Sequence, residues 1–344
     1  MTMNLRPQPV AVHGGAAISG IDLSASLNPL GPSRAALRAA ANATLTRYPE
    51  PDAAPLGRAA ANRHRVPVDS IVPVPGASWG LWLCGVGLLC PGERCVGVSP
   101  AYAEYRRCAE LARAEYCEVA VTEPPWQPDL TVLERALEGA AVCFLANPGN
   151  PTGALIAACR LRQLCAAHSR TTFIVDEAFV DFAPPDSSLI ADGLPPENAV
   201  VVRSLTKSLG LPGLRMGYLV ARPDLALALG GMLPPWPLSA PALAAAVAGL
   251  ADVEHVTAGA ALARRTLRVV GQALVTAGAV TFPSAANYLL ARGPGLAPKL
   301  ARHGITVRDC ASMGMAGYIR VAAPGTLALR PTVAAIMAAG RDSP

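Results

Sequence analysis

Several things are missing from this sequence, and each absence removes a class of function. The 344 residues carry a net charge of +5 but no dense run of Lys and Arg. A nucleic-acid footprint needs a clustered basic patch, so no nucleic-acid partner is expected. No apolar stretch reaches the length of a membrane span before Gly, Pro or Arg interrupts it, so no membrane association is expected. Met1 to Gly15 holds no apolar h-region, which argues against a signal peptide. The cysteines are Cys84, Cys90, Cys95, Cys108, Cys117, Cys143, Cys159, Cys165 and Cys310. They are odd in number, irregular in spacing and include no Cys-x-x-Cys pair, which fits neither a disulfide framework nor a zinc site. Most lie in apolar segments, where Cys behaves as a small hydrophobe. A reduced, cytoplasmic setting without a bound metal is expected.

What is present is apolar and ordered in its pattern. Hydrophobic residues make up 52% of the chain, ample for a large core and more than one lobe. Apolar runs at 70–75, 95–99, 116–121, 141–146, 173–175, 200–204 and 218–221 read as strands. Between most of them lie segments of helical spacing, such as 102–115, 130–138 and 158–169. This alternation predicts an α/β fold with a mainly parallel sheet covered on both faces. Ligands collect at the strand ends of such sheets. After Pro241 the pattern changes to one long Ala-rich helical stretch running to about Gly278. A strand (288–291), a helix (298–303), two short strands (305–308 and 318–322) and a closing helix near 330–340 follow. Pro234, Pro235 and Pro237 flank the change and predict a lobe boundary just after them. The expected division is an N-terminal arm or small-lobe segment over 1–45, a large lobe over 46–240 and a small α+β lobe over 241–344.

Four segments carry candidate chemistry. Ser204-Leu205-Thr206-Lys207 follows a Val-rich strand and precedes Gly213-Leu214-Arg215-Met216-Gly217-Tyr218. A lysine just past a buried strand can face a cleft partly desolvated, which lowers its pKa and favours Schiff-base chemistry. Ser204, Thr206 and Arg215 could serve a phosphate dianion. A surface loop with an ordinary lysine is the alternative. Val175-Asp176-Glu177-Ala178-Phe179 ends another strand. Its Asp176 could pair with a protonated pyridine nitrogen or simply cap the next helix. Asn147-Pro148-Gly149-Asn150-Pro151-Thr152-Gly153 follows a third strand. It could present the Asn150 amide to a bound ring's oxygen, or be only a turn. Pro75-Gly76-Ala77-Ser78 opens a helical segment over 79–89, a frequent turn that can cradle phosphate at a helix N-terminus.

In this order and at these spacings the four segments resemble the class I/II aminotransferase superfamily, fold type I of the pyridoxal-phosphate enzymes, over nearly the whole chain. The nearest patterns are those of histidinol-phosphate aminotransferases and, closer still, the threonine-phosphate decarboxylases of cobalamin biosynthesis. The latter resemblance rests on His13-Gly14-Gly15, Asp22-Leu23-Ser24-Ala25, Asn28-Pro29-Leu30-Gly31 and Pro100-Ala101-Tyr102-Ala103-Glu104-Tyr105. It rests also on Asp181-Phe182, Ala286-Asn287-Tyr288-Leu289-Leu290, Val307-Arg308-Asp309-Cys310 and Tyr318-Ile319-Arg320-Val321-Ala322.

The resemblance implies pyridoxal 5'-phosphate as cofactor, a seven-stranded large-lobe sheet, and a homodimer with shared sites. It implies that Lys207 is the Schiff-base lysine and that Tyr102 stacks on the cofactor. Gly76, Ala77, Ser78, Asn150, Asp176, Phe179, Ser204, Thr206 and Arg215 would complete the cofactor site, with Tyr48 reaching the neighbouring subunit's cofactor phosphate. Arg320 would hold a substrate carboxylate and Arg308 with His13 a substrate phosphate. Gly14, Ser26 and Asn150 would complete the substrate pocket. Ser26 stands where the decarboxylase pattern has Asn, the segment between Gly15 and Asp22 is short, and Phe179 replaces the Tyr expected of the aminotransferase. The leading expectation is decarboxylation of O-phospho-L-threonine to aminopropanol phosphate. Amino transfer from a phosphorylated or other polar amino acid comes second, and a non-catalytic module that kept the fold is the third reading.

Overall fold

The computed structural model describes residues 14–15 and 20–342. Its strands, in chain order, begin with β1 (Ile21–Leu23). Seven follow: β2 (Ile71–Val74), β3 (Arg94–Ser99), β4 (Glu115–Ala120), β5 (Ala140–Ala146), β6 (Thr172–Asp176), β7 (Ala199–Ser204) and β8 (Gly217–Val220). The last four are β9 (Val280–Phe282), β10 (Tyr288–Arg292), β11 (Ile305–Asp309) and β12 (Tyr318–Ala322).

The seven strands β2 to β8 form one sheet in the order β2-β8-β7-β6-β5-β3-β4. Only β8 runs against the rest. The middles of its central strands are apolar on both faces because both faces are covered. In β7, Ala199 and Val201 pack into one apolar cluster, while Val200 and Val202 pack into another across the sheet. In β6, Phe173 and Val175 join the first cluster and Ile174 the second. Each Val, Ile or Phe side chain so removed from water contributes about 1.5–3 kcal/mol.

The second sheet has five strands in the order β1-β11-β12-β10-β9. The pairing of β1 with β11 is parallel, in the register Ile21↔Ile305, and the others are antiparallel. Strands β1 and β9 were not expected from the sequence. Each is three residues long, too short to show a period of two, and takes its geometry from a partner already in place.

Two expectations need correction. The Ala-rich stretch is not one helix but two, Ala240–Ala251 and Val253–Thr276. Asp252 breaks it: its carboxylate accepts from the His255 amide, capping the second helix, and from Ser33 Oγ at 2.6 Å. The first of these helices packs with the large sheet, since Ala242, Leu243, Ala245 and Ala246 belong to the same apolar cluster as Val201. By core membership the division expected at 240/241 therefore moves to about Asp252. Within the segment expected as arm or small-lobe, β1 joins the small sheet, whereas Ala36 packs into the large lobe's core. Among the described residues no helix is long and apolar enough to cross a membrane, and no cluster of His, Cys, Asp or Glu could hold a metal ion.

Candidate active site

Parallel strands end at one edge of their sheet, and the loops beyond them meet there. Strands β5, β6 and β7 end at Ala146, Asp176 and Ser204. The residues just past them, together with residues from the small lobe, line a cavity of about 500 Å³. Lys207, Asp176, Asn150, Phe179, Ser204 and Thr206 are all in its wall. So are Ala77, Ser78, Tyr102 and Arg215 of the large lobe, and Gly14, Ser26, Arg308 and Arg320.

Lys207 sits on the single helical turn Leu205–Ser208 directly after β7. Two backbone groups of that turn are tied down by Asn28, whose amide N–H donates to Lys207 O at 3.0 Å and whose Nδ2 donates to Ser208 O at 2.7 Å. Asn28 lies against Gly259, where any Cβ would come within 2.2 Å of its amide. Burial, and then the positive charges of Arg320 and Arg215, pull the Lys207 amine down to about 8, with Asp176 opposing them. The amine is thus poised as a nucleophile near neutral pH.

Asp176 is buried. Its Oδ2 accepts from the Tyr105 hydroxyl at 2.8 Å and its Oδ1 from the Ala178 amide at 3.0 Å. Burial raises its carboxyl above the ordinary value, while the Tyr105 bond, the Ala178 bond and the Lys207 charge act the other way. A buried carboxylate with donors on both oxygens could fix a cationic ring nitrogen.

The N-terminus of the helix Ala77–Leu88 opens on the same space. Gly76 has φ of 91°, and a Cβ there would meet Arg215 Nη2 at 2.8 Å. Its bareness lets the guanidinium close on the helix N-terminus. Ser204 and Thr206 share a 2.9 Å hydroxyl contact, and Ser78 meets the Tyr102 hydroxyl at 3.1 Å. Exposed helix amides, three hydroxyls and a guanidinium fit the phosphate of a pyridoxal phosphate. Lys207 would meet its aldehyde and Asp176 its ring nitrogen.

On the small-lobe side, Arg308 and Arg320 stand directly opposite each other across β11 and β12. Both are buried. Arg320 Nη1 donates to Asn150 Oδ1 at 2.5 Å and Nη2 to Ser24 O at 2.8 Å. Its Nε is buried with no partner among the described residues, as is Ser26 Oγ. Arg308 Nη2 donates to Ser312 Oγ at 3.0 Å.

The model of the aminotransferase class I and II family matches residues 18–332. The chain belongs to that family. It is 36% identical over 311 residues to the histidinol-phosphate aminotransferase of Symbiobacterium thermophilum, covering 88% of this chain and 85% of that one. It is 33% identical over 325 residues to the threonine-phosphate decarboxylase of Salmonella typhimurium, covering 88% of each. The crystal structure of histidinol-phosphate aminotransferase from Sinorhizobium meliloti in complex with pyridoxal-5'-phosphate superposes with a TM-score of 0.85 at 23% identity, covering 94% of this chain and 91% of that one. The fold is type I of the pyridoxal-phosphate enzymes, and pyridoxal 5'-phosphate is the cofactor of this family member.

His13 is outside the described residues. Tyr48 is 80% exposed, stacked on Trp236 at 4.6 Å, and does not line this chain's cavity. Two supporting residues carry no local signal in the sequence: Tyr105 and Asn28. Their work is to hold Asp176 and the Lys207 turn, which needs three-dimensional pairing to see.

Proposed function

We propose that this chain acts on an amino acid that also carries a phosphate, and that it transfers the amino group to an oxo acid. The observation that carries the substrate class is the Arg308–Arg320 pair. Like charges directly opposite on neighbouring strands destabilise a sheet. Here both are buried at the wall that also holds Lys207. Two anionic groups on one substrate, a carboxylate and a phosphate, would relieve that repulsion.

When bound, the cofactor supplies an aldehyde for the substrate amine and a protonated ring that draws electrons from the substrate's α-carbon. The chain's own residues do the rest. Lys207 would hold the cofactor at its aldehyde and would move a proton at the substrate's α-carbon. Asp176 would keep the ring nitrogen protonated, and Asn150 would donate to the ring oxygen. Tyr102 would cover the ring, with Phe179 also in the wall. Gly76, Ala77 and Ser78, with Ser204, Thr206 and Arg215, hold the cofactor phosphate. Arg320 offers its unpartnered Nε to the substrate carboxylate. Arg308, Ser26, Gly14 and His13 serve the substrate's distal end. Tyr48, exposed in one subunit, completes the site of a second copy in a homodimer.

Amino transfer is supported by the family and by relatives such as the 36% identical histidinol-phosphate aminotransferase. That reverses the order in which sequence patterns ranked the two reactions. Decarboxylation of O-phospho-L-threonine is the second reading. It is favoured by Phe179, which offers no hydroxyl where the aminotransferase pattern has Tyr, and by the 33% identical decarboxylase. The deciding experiment incubates the enzyme with O-phospho-L-threonine, with and without 2-oxoglutarate. Glutamate formed only in the presence of the acceptor supports transfer. Carbon dioxide and aminopropanol phosphate released without it would replace transfer by decarboxylation.

A further inference from the structure

The cavity has a second basic element besides the Arg308–Arg320 pair. The helix Glu104–Leu111 of the large lobe sends Arg106 and Arg107 to the same wall. The two are not equivalent. Arg106 is engaged elsewhere: it pairs with Glu118 at 2.5 Å and lies over the Tyr116 ring at 4.6 Å. Arg107 is oriented by a ring and by one longer ion pair. Its guanidinium lies over the Trp82 ring at 5.1 Å, and its nearest carboxylate, Glu104, stands 3.6 Å away. Glu104 is buried and already accepts from Trp82 Nε1 at 2.7 Å. Arg107 Nε is buried with no hydrogen-bond partner among the described residues.

A buried N–H without a partner costs free energy that a ligand's acceptor can recover. A guanidinium already fixed on an aromatic face loses little freedom when it closes on an oxyanion. Charge accounting points the same way. In the proposed site Arg215 serves the cofactor phosphate and Arg320 the substrate carboxylate. Arg107 is then a cation of the wall with neither task, in the cavity that Arg308 also lines.

We propose that Arg107 is the large-lobe arm of the substrate-phosphate subsite, closing on the phosphate that Arg308 meets from the small lobe. A substrate carrying that phosphate would then bridge the two lobes. An unphosphorylated amino acid would contact only the carboxylate site. This inference rests on the phosphorylated-substrate reading above.

The test titrates the holoenzyme with O-phospho-L-threonine and with L-threonine, and follows the change in cofactor absorbance as a measure of binding. Arg107→Gln, Arg107→Lys and Arg308→Gln are compared with wild type. Cofactor content and thermal midpoint report folding. Arg107→Gln is expected to weaken O-phospho-L-threonine by roughly ten- to a hundredfold, the loss of one charge-assisted hydrogen bond, and L-threonine by less than about twofold. Arg107→Lys keeps the charge without the fork and should fall between. If Arg308→Gln discriminates between the two ligands and Arg107→Gln does not, Arg107 is outside the subsite and the inference is overturned while the substrate reading stands. If neither variant discriminates, both are overturned.

Discussion

Tyr105 donates its hydroxyl hydrogen to Asp176 across 2.8 Å in the interior of the large lobe. The Tyr105 ring is stacked on Phe144 with centroids 5.4 Å apart, so the hydroxyl has little freedom to point elsewhere. The bond holds Asp176 in place and keeps its carboxyl lower than burial alone would leave it. Tyr105→Phe preserves the ring and removes the donor. The carboxyl pKa should rise, and the counter-charge opposite the cofactor ring nitrogen should weaken. We expect turnover to fall roughly tenfold or more, the worth of a hydrogen bond to a charged group, with cofactor still bound. The pH midpoint of the bound cofactor's absorbance should also shift. Unchanged turnover and an unchanged absorbance titration would reduce Tyr105 to a packing residue.

Lys207 is one of only two lysines in the chain; the other is Lys299. Lys299 lies on the helix Leu296–Arg302 of the small lobe, where its Nζ donates to Asp342 O at 3.1 Å. Borohydride reduction of the holoenzyme should therefore leave a pyridoxyl group on the peptide containing Lys207 and none on that containing Lys299. The pH dependence follows from the amine lying at about 8 in the fold rather than 10.5. The neutral amine is the nucleophile, so capture of cofactor by the apo chain should speed up as pH rises and level off above 8. At pH 7.5 about a quarter of the amine is already neutral, against roughly one part in a thousand for an ordinary lysine. A capture rate that keeps climbing towards pH 10 would mean that the amine is not desolvated.

The parts of the site that the sequence made legible are those whose chemistry is local. A lysine after a Val-rich strand, an aspartate at the preceding strand's end and a glycine ahead of a helix are local signals, each with an ordinary alternative until they are taken together, and all of them line or adjoin one cavity. The central strands were legible because burial on both faces makes their middle positions apolar without alternation. What stayed hidden depends on pairing between distant segments. Strand β1 exists because β11 lies beside it. The break at Asp252 was masked by Ala-rich composition on either side, which supports helix equally well in one piece or two. Arg107 reads as a surface charge until Trp82 and Glu104 are placed around it.

On the back of the sheet, under the cofactor side, Arg203 is buried between two carboxylates. It pairs with Glu177 at 3.4 Å and makes a close bond to Asp181. Glu177 also accepts from Ser188 Oγ and the Leu189 amide, each at 2.6 Å. These residues neighbour Asp176 and Ser204 in the chain, so the cluster fixes the strand ends that carry the site. Arg203→Met would leave Glu177 buried without its cation. A destabilisation of about 3–5 kcal/mol is expected in denaturant unfolding. The double change Arg203→Met with Glu177→Gln should cost less than the two single changes added together, because it removes the uncompensated charge. Strict additivity would show that the pair is not coupled.

Tyr48 and Trp236 form an exposed aromatic stack, with Tyr48 80% and Trp236 45% accessible. Two large rings stacked on each other in solvent are an interface in waiting, and the proposed homodimer would bury them against a second copy. If Tyr48 serves the partner's cofactor phosphate, each active site draws on both subunits. Lys207→Ala and Tyr48→Ala would then each inactivate, but through different subunits. In a hybrid dimer one site carries both defects and the other carries neither. With equal amounts and free exchange, half of the dimers are hybrids, so roughly a quarter of the sites regain full function. Mixing the two inactive proteins should therefore restore about that fraction of wild-type activity, with exchange verified by differently tagged copies. No recovery despite proven exchange, or a fully active monomer in sedimentation, would remove Tyr48 from the shared site.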